Sequence, residues 1–220
     1  MSKTTVLFAG CIVTTALFAA GNSWAGKMPT YEVTITNLTP GQPIAPVLVV
    51  THRPGMSFFQ AGEAPAAELA DLAEAGDGNP MAEKLRGMPG VSAAVVGDGG
   101  TGPGQTTSVM VTGKPGSHFS LGAMLGNTND AFAGLADVRL PRGRHALTYM
   151  APAYDAGTET NDELCATVPG PACGGQALSP ADSGEGVVTI HNGIHGIGGL
   201  SAAELDWRNP VAKIVIKRVH

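Results

Sequence analysis

Between Tyr31 and Thr36 the chain alternates strictly, with Tyr31, Val33 and Ile35 on one side and Glu32, Thr34 and Thr36 on the other. That period of two, with β-branched residues at most positions, predicts a half-buried strand. Asn37 to Pro43 carries Asn, Gly and Pro and predicts a turn. Ile44 to Val50 is more continuously apolar and predicts a strand buried on both faces. Pattern leaves open whether these two strands form a hairpin or lie in different sheets. From Pro65 to Ala75 the spacing changes: Leu69, Leu72 and Ala73 recur at helical intervals, with Glu63, Glu68, Asp71 and Glu74 outward. Pro65 suits a first turn and Gly76 a stop, which predicts one short surface helix, with a further turn over Met81 to Leu85. Beyond it the candidate strands are Val91 to Val96, Thr106 to Val111, Phe119 to Leu125, Ala146 to Met150, Val187 to His191 and Val211 to Val219, separated by glycine-rich turns. Strands at this spacing predict an all-β antiparallel sandwich, with the last strand near the first.

Composition narrows the setting. Lys3 followed by the apolar run Val6 to Ala20 and by Ser23-Trp24-Ala25 reads as a signal peptide over residues 1–25, cleaved after Ala25. Residues 26–220 then form one domain, periplasmic or secreted, with no transmembrane segment. A lipoprotein box ending at Cys11 is the alternative, disfavoured because the apolar run continues past the cysteine. Cys165 and Cys173 flank a Pro/Gly-rich stretch, and in an oxidising compartment they predict a disulfide contributing about 2–3 kcal/mol; two free thiols are the alternative. The net charge is −5 and Lys and Arg are scattered along the chain, which argues against a nucleic-acid partner.

Candidate chemistry lies mainly in two oxygen-rich loops, Gly126 to Asp130 and Tyr154 to Glu163. The segment between them is long enough to run out along one strand and back along another, so both loops can meet at one end of a sheet. Asp, Asn, Glu and Thr oxygens converging there suit a hard cation. The bland alternative is ordinary turn chemistry, since Asp and Asn stabilise turns and Gly supplies positive φ. His52, His191 and His195 offer a different class of function, a metal-dependent hydrolase. Against it, His191 and His195 lie among glycines rather than on a helix, and the glutamate of a metalloprotease motif is missing. There is no Gly-x-Ser-x-Gly elbow, P-loop or dinucleotide fingerprint.

Three ordered motifs together resemble the spondin N-terminal domain, the module of F-spondin and mindin and of exported bacterial proteins. They are Thr128-Asn129-Asp130-Ala131-Phe132-Ala133-Gly134-Leu135, Tyr154-Asp155-Ala156-Gly157-Thr158-Glu159 and Asp206-Trp207-Arg208-Asn209-Pro210-Val211-Ala212-Lys213-Ile214. The resemblance runs from about Tyr31 to the C-terminus. It implies a sandwich of about eight strands, a calcium site at one end, and adhesion to a protein, glycan or lipid surface rather than catalysis. Matched motif to motif, Asp130 and Asp155 are the implied metal ligands, with Asn129, Glu159 and Gln105 as supporting oxygens. An upstream acidic ligand of the animal proteins has no counterpart, because Gly104 to Leu125 contains no Asp or Glu. Ala131 also stands where animal members carry tryptophan. Trp207 is expected to plug the edge of the core, and Arg208 to pair with an acidic loop or a backbone carbonyl.

Overall fold

The computed structural model describes Met1, residues 28–179 and residues 184–220. The leader expected over residues 1–25, including Cys11 and the cleavage point, lies outside the described residues. In chain order the elements are β1 (Thr30–Asn37), β2 (Leu48–His52), α1 (Ala67–Glu74), α2 (Asn79–Arg86), β3 (Val91–Val96), β4 (Thr106–Thr112), β5 (His118–Met124), β6 (Ala131–Arg139), β7 (Leu147–Ala151), β8 (Ala153–Asp155), β9 (Thr189–Ile190), α3 (Ala202–Leu205) and β10 (Ala212–Arg218). They build two sheets, one of four strands in the order β4-β1-β10-β7 and one of six in the order β3-β2-β5-β6-β8-β9. All the pairings are antiparallel. The fold is therefore the expected all-β sandwich, and the last strand pairs with the first, Val33 opposite Ile216.

The apolar pattern explains the layers. Tyr31, Val33 and Ile35 of β1 and Ala212, Ile214 and Ile216 of β10 point into the core between the sheets, where Val49, Phe119, Leu121, Ala131 and Ala133 meet them. The six-stranded sheet also buries its outer face. Leu48 and Val50 of β2 and Phe132 of β6 pack there against Leu69 and Leu72 of α1, Met81 and Leu85 of α2, and Phe58 and Phe59. This second core is why β2 is buried at every position. It also makes the helical excursion larger than the sequence predicts. There are two packed eight-residue helices, and Glu74, expected outward, is buried.

The aromatic wedge needs a slot. Gly122 of β5 and Gly134 of β6 are direct cross-strand partners. A Cβ on Gly122 would stand 2.9 Å from the Phe58 ring, and one on Gly134 would stand 2.7 Å from Phe59 and 2.8 Å from Tyr154. Two side-chain-free positions on neighbouring strands thus admit both rings to the sheet surface.

The connectivity differs from a pair of simple hairpins. β1 and β2 lie in different sheets, and so do β6 and β7. The chain leaves the four-stranded sheet at Ala151, passes Pro152, and enters the six-stranded sheet as β8 beside β6. The Asn209 side-chain oxygen accepts the Ala153 N–H at 2.8 Å and secures this corner. By changing sheets there, β8 brings Asp155 opposite Ala131, next to Asp130.

Candidate metal centre

Asp130 is fully buried at the start of β6. Its Oδ2 accepts the backbone N–H groups of Thr158 at 2.8 Å and Glu159 at 3.1 Å, and the Thr158 hydroxyl at 3.3 Å. Its Oδ1 is buried with no hydrogen-bond partner among the described residues. Asp155 closes a local turn, with Oδ1 accepting the Gly157 N–H at 2.7 Å and Oδ2 accepting the Asn161 amide at 2.6 Å. Gly157 has φ +69°, and its backbone lies against Val187, so the turn suits glycine on both counts. Glu159 is buried beside them.

Burial raises the Asp130 pKa to about 7, reinforced by the charge of Asp155 and, more weakly, Glu185, and opposed by the two N–H donors. Burial also raises Asp155, against its own hydrogen bonds. Among the described residues no Lys or Arg forms an ion pair with either aspartate. Two carboxylates in one desolvated corner without a counter-charge are costly unless a proton or a cation joins them. Among the described residues no group of three or more His, Cys, Asp or Glu side chains is arranged to hold a metal ion. A cation here would draw on two or three carboxylates and complete its shell with neutral oxygens and water, a donor set that suits calcium.

The supporting residues divide. Glu159 joins the aspartates through its backbone. Asn129 is buried, but its amide donates to Asp162 and to the Thr167 hydroxyl, both at 3.1 Å, and its oxygen accepts the Glu163 N–H. It straps the second loop to the first. Gln105 sits in an exposed turn, its carbonyl accepting from the Asn37 N–H, and no hydrogen bond joins it to the acidic loops among the described residues.

The histidines do not converge. His52 lies at the opposite end of the sandwich, where it pairs with His118 across β2 and β5. Its Nε2 bonds the buried Ser120 hydroxyl at 2.8 Å and its Nδ1 the Arg53 carbonyl at 2.9 Å. His195 is exposed, 3.9 Å from a Glu163 carboxylate oxygen. His191 is buried against Trp207, with ring centroids 5.1 Å apart. Its Nδ1 accepts the Gly193 N–H, which leaves the proton on Nε2, and Nε2 donates to the Asn161 oxygen at 2.9 Å. Asn161 in turn holds Asp155, so the neutral imidazole orients a candidate ligand through one intermediary. Burial lowers the His191 pKa to about 4.

Sequence reasoning placed Asn161 and Glu163 in the oxygen-rich loop but missed this relay and the part Glu163 plays. The Glu163 carboxylate is buried and accepts three consecutive N–H groups, from His195, Gly196 and Ile197, at 2.6–3.0 Å. Partners about 30 residues apart leave no local signal in the chain. Trp207 plugs the core edge and Arg208 donates to a backbone carbonyl, that of Trp207, both as expected; Arg208 also pairs with Asp206 rather than with Asp130 or Asp155. Cys165 and Cys173 form the expected disulfide. No helix of the described residues is long and apolar enough to cross a membrane. A scan against protein-family models finds no match, and no curated protein matches the chain.

Proposed function

We propose that this chain is an exported spondin-type β-sandwich whose function is binding, with calcium held at one end by Asp130 and Asp155. Glu159 serves as the supporting carboxylate, and the adjoining loops present the adhesive surface to a protein, glycan or lipid. The observation that carries the reading is the buried Oδ1 of Asp130, which has no hydrogen-bond partner among the described residues and lies in the field of Asp155. A hard cation satisfies that oxygen and neutralises the mutual repulsion in one step. The ordered motifs around Asp130, Asp155 and Trp207 support the family reading, and the disulfide is compatible with export.

With two aspartate ligands, Glu159 in support and no upstream acid, the site belongs with weak extracellular calcium modules, at a dissociation constant of roughly 10⁻⁴–10⁻³ M. The test is titration calorimetry of residues 26–220 with calcium, magnesium and zinc, repeated on Asp130→Asn and Asp155→Asn. Calcium binding that weakens at least tenfold in both variants is expected. Unchanged calcium binding in both would overturn the site.

A further inference from the structure

At the other end of the sandwich, the cations that look scattered in the sequence come together. A groove of about 570 Å³ is lined by His118, Arg139, Arg142 and His145, with Pro54 and Gly116 in its wall. A second depression of about 580 Å³ shares Pro54 and adds Arg53 and Lys114. A third, of about 180 Å³, holds Arg144, Arg218 and His220. Arg218 reaches the Arg142 carbonyl at 3.5 Å, so the third joins the first.

Among the described residues none of Arg53, Lys114, Arg139, Arg142, Arg144 and Arg218 forms an ion pair; the Lys and Arg ion pairs are Lys84 with Glu68 and Arg208 with Asp206. Among the described residues no Asp or Glu lines the three depressions, and Asp137, behind His118, is already engaged by His118 at 2.7 Å and by the Gly55 N–H. A chain of net charge −5 that gathers on one end six cations outside any described ion pair, of which Arg218 donates to the His220 and Arg142 main-chain oxygens, presents a local positive field that can concentrate anions.

We propose that this end binds an anionic polysaccharide, laid along the three connected depressions with Arg139 and Arg142 at its centre. Extension over three depressions favours a polymer over a single ion, because successive charges on the chain meet successive cations. Among the described residues no Phe, Trp or Tyr lines any of the three, which leaves single-stranded nucleic acid without the stacking platforms it uses. The cations border concave grooves, and among the described residues Met28 is the one exposed large hydrophobic lining them, so a flat anionic membrane would gain little purchase.

The test is binding of residues 26–220 to dextran sulfate and to polygalacturonate, with neutral dextran, duplex DNA and phosphatidylglycerol vesicles as comparators. Expected is salt-sensitive binding to at least one of the acidic polysaccharides and none to neutral dextran. In Arg139→Gln/Arg142→Gln the affinity should fall about tenfold or more, and the log–log salt slope should drop by about two. A Lys84→Gln/Arg86→Gln control on α2 should bind like the parent, and melting curves should show all three proteins equally folded. Absence of binding to both acidic polysaccharides, an affinity unchanged in the Arg139/Arg142 variant, or equal affinity for DNA or vesicles would overturn the assignment.

Discussion

Asp130 and His191 set opposite pH dependences on the cation-free protein. Asp130 titrates at about 7 in the fold against an ordinary 3.8, because burial and the Asp155 charge disfavour its anion. Between those values the folded chain keeps a proton that the unfolded chain has released. Stability therefore falls as pH rises from about 4 through about 7, by at most about 4 kcal/mol. His191 titrates at about 4 against an ordinary 6.5, burial being the larger cause and the charge of His195 the next. Here the unfolded chain takes the proton first, so stability falls as pH drops from about 6.5 to about 4, by at most about 3 kcal/mol. The two trends offset each other across one window. Thermal melts in chelator from pH 4 to pH 8 should vary less in the parent protein than in either variant, with the raised Asp155 tilting the balance towards acid. They should slope downward towards acid in Asp130→Asn and upward towards acid in His191→Gln, whose amide nitrogen can still donate to Asn161. An Asp130→Asn profile parallel to the parent's would show that Asp130 does not titrate in this range. Added calcium should raise the parent's melting temperature most at pH 8, where Asp130 is ionised, and leave Asp130→Asn unmoved.

The Gly122–Gly134 slot decides how the helical layer seats on the sheet. Alanine at Gly134 must displace Phe59, Tyr154 and Phe132 together, and those rings pack edge-to-face or stacked on one another. Overpacking of this kind costs about 1–3 kcal/mol, which lowers the melting temperature of a domain this size by about 3–10 °C. Gly143→Ala, where an added Cβ meets nothing within 4 Å, is the matched control and should melt like the parent. Equal melting of Gly134→Ala and Gly143→Ala would show that the rings relax freely. The same elements show what the chain discloses and what it hides. Alternation in Tyr31–Thr36 announces β1, because burial on one face writes a period directly into the sequence, whereas the apolar stretch Ile44 to Val50 announces β2 but sets it early, the strand running Leu48–His52 with Ile44 only in isolated bridges. The Gly122–Gly134 pair is invisible to that reading, since glycine marks turns as readily as slots. Helix α2, eight residues from Asn79 to Arg86, is so short that the sequence shows only its turn over Met81 to Leu85. Asp130 and Asp155 were legible as acids beside turn residues, whereas Asn161, His191 and Glu163 acquire their roles only through contacts across the fold.

At the scale of the whole molecule, charge and connectivity are both products of long-range pairing. The cations outside any described ion pair reach one end because β2, β5, β6 and β10 all place a terminus there, although Arg53 and Arg218 stand far apart in the chain. The central pair of the four-stranded sheet likewise joins the two extremes of the domain. Tyr31 lies opposite Arg218, the Thr30 N–H donates to the His220 carbonyl at 3.1 Å, and the Val219 N–H donates to the Thr30 carbonyl at 2.9 Å. Forming that pair closes almost the longest loop the domain allows, so it should slow folding more than any local hairpin would. A circular permutant tests this directly: His220 joined to Met28 by a short Gly/Ser linker, with new ends between Asp98 and Gly99. Those two residues are exposed, and a Cβ at Gly99 meets nothing within 4 Å. The flanking strands β3 and β4 belong to different sheets, so the cut severs no hairpin. The permutant should melt cooperatively within several degrees of the parent, because every native pairing survives. It should refold faster in stopped-flow experiments, because β1 and β10 become a local hairpin. A permutant that folds no faster would place the rate-limiting step elsewhere, with the six-stranded sheet as the nucleus; one that fails to fold would mean that the loop at Asp98 is needed intact to bring the two sheets together.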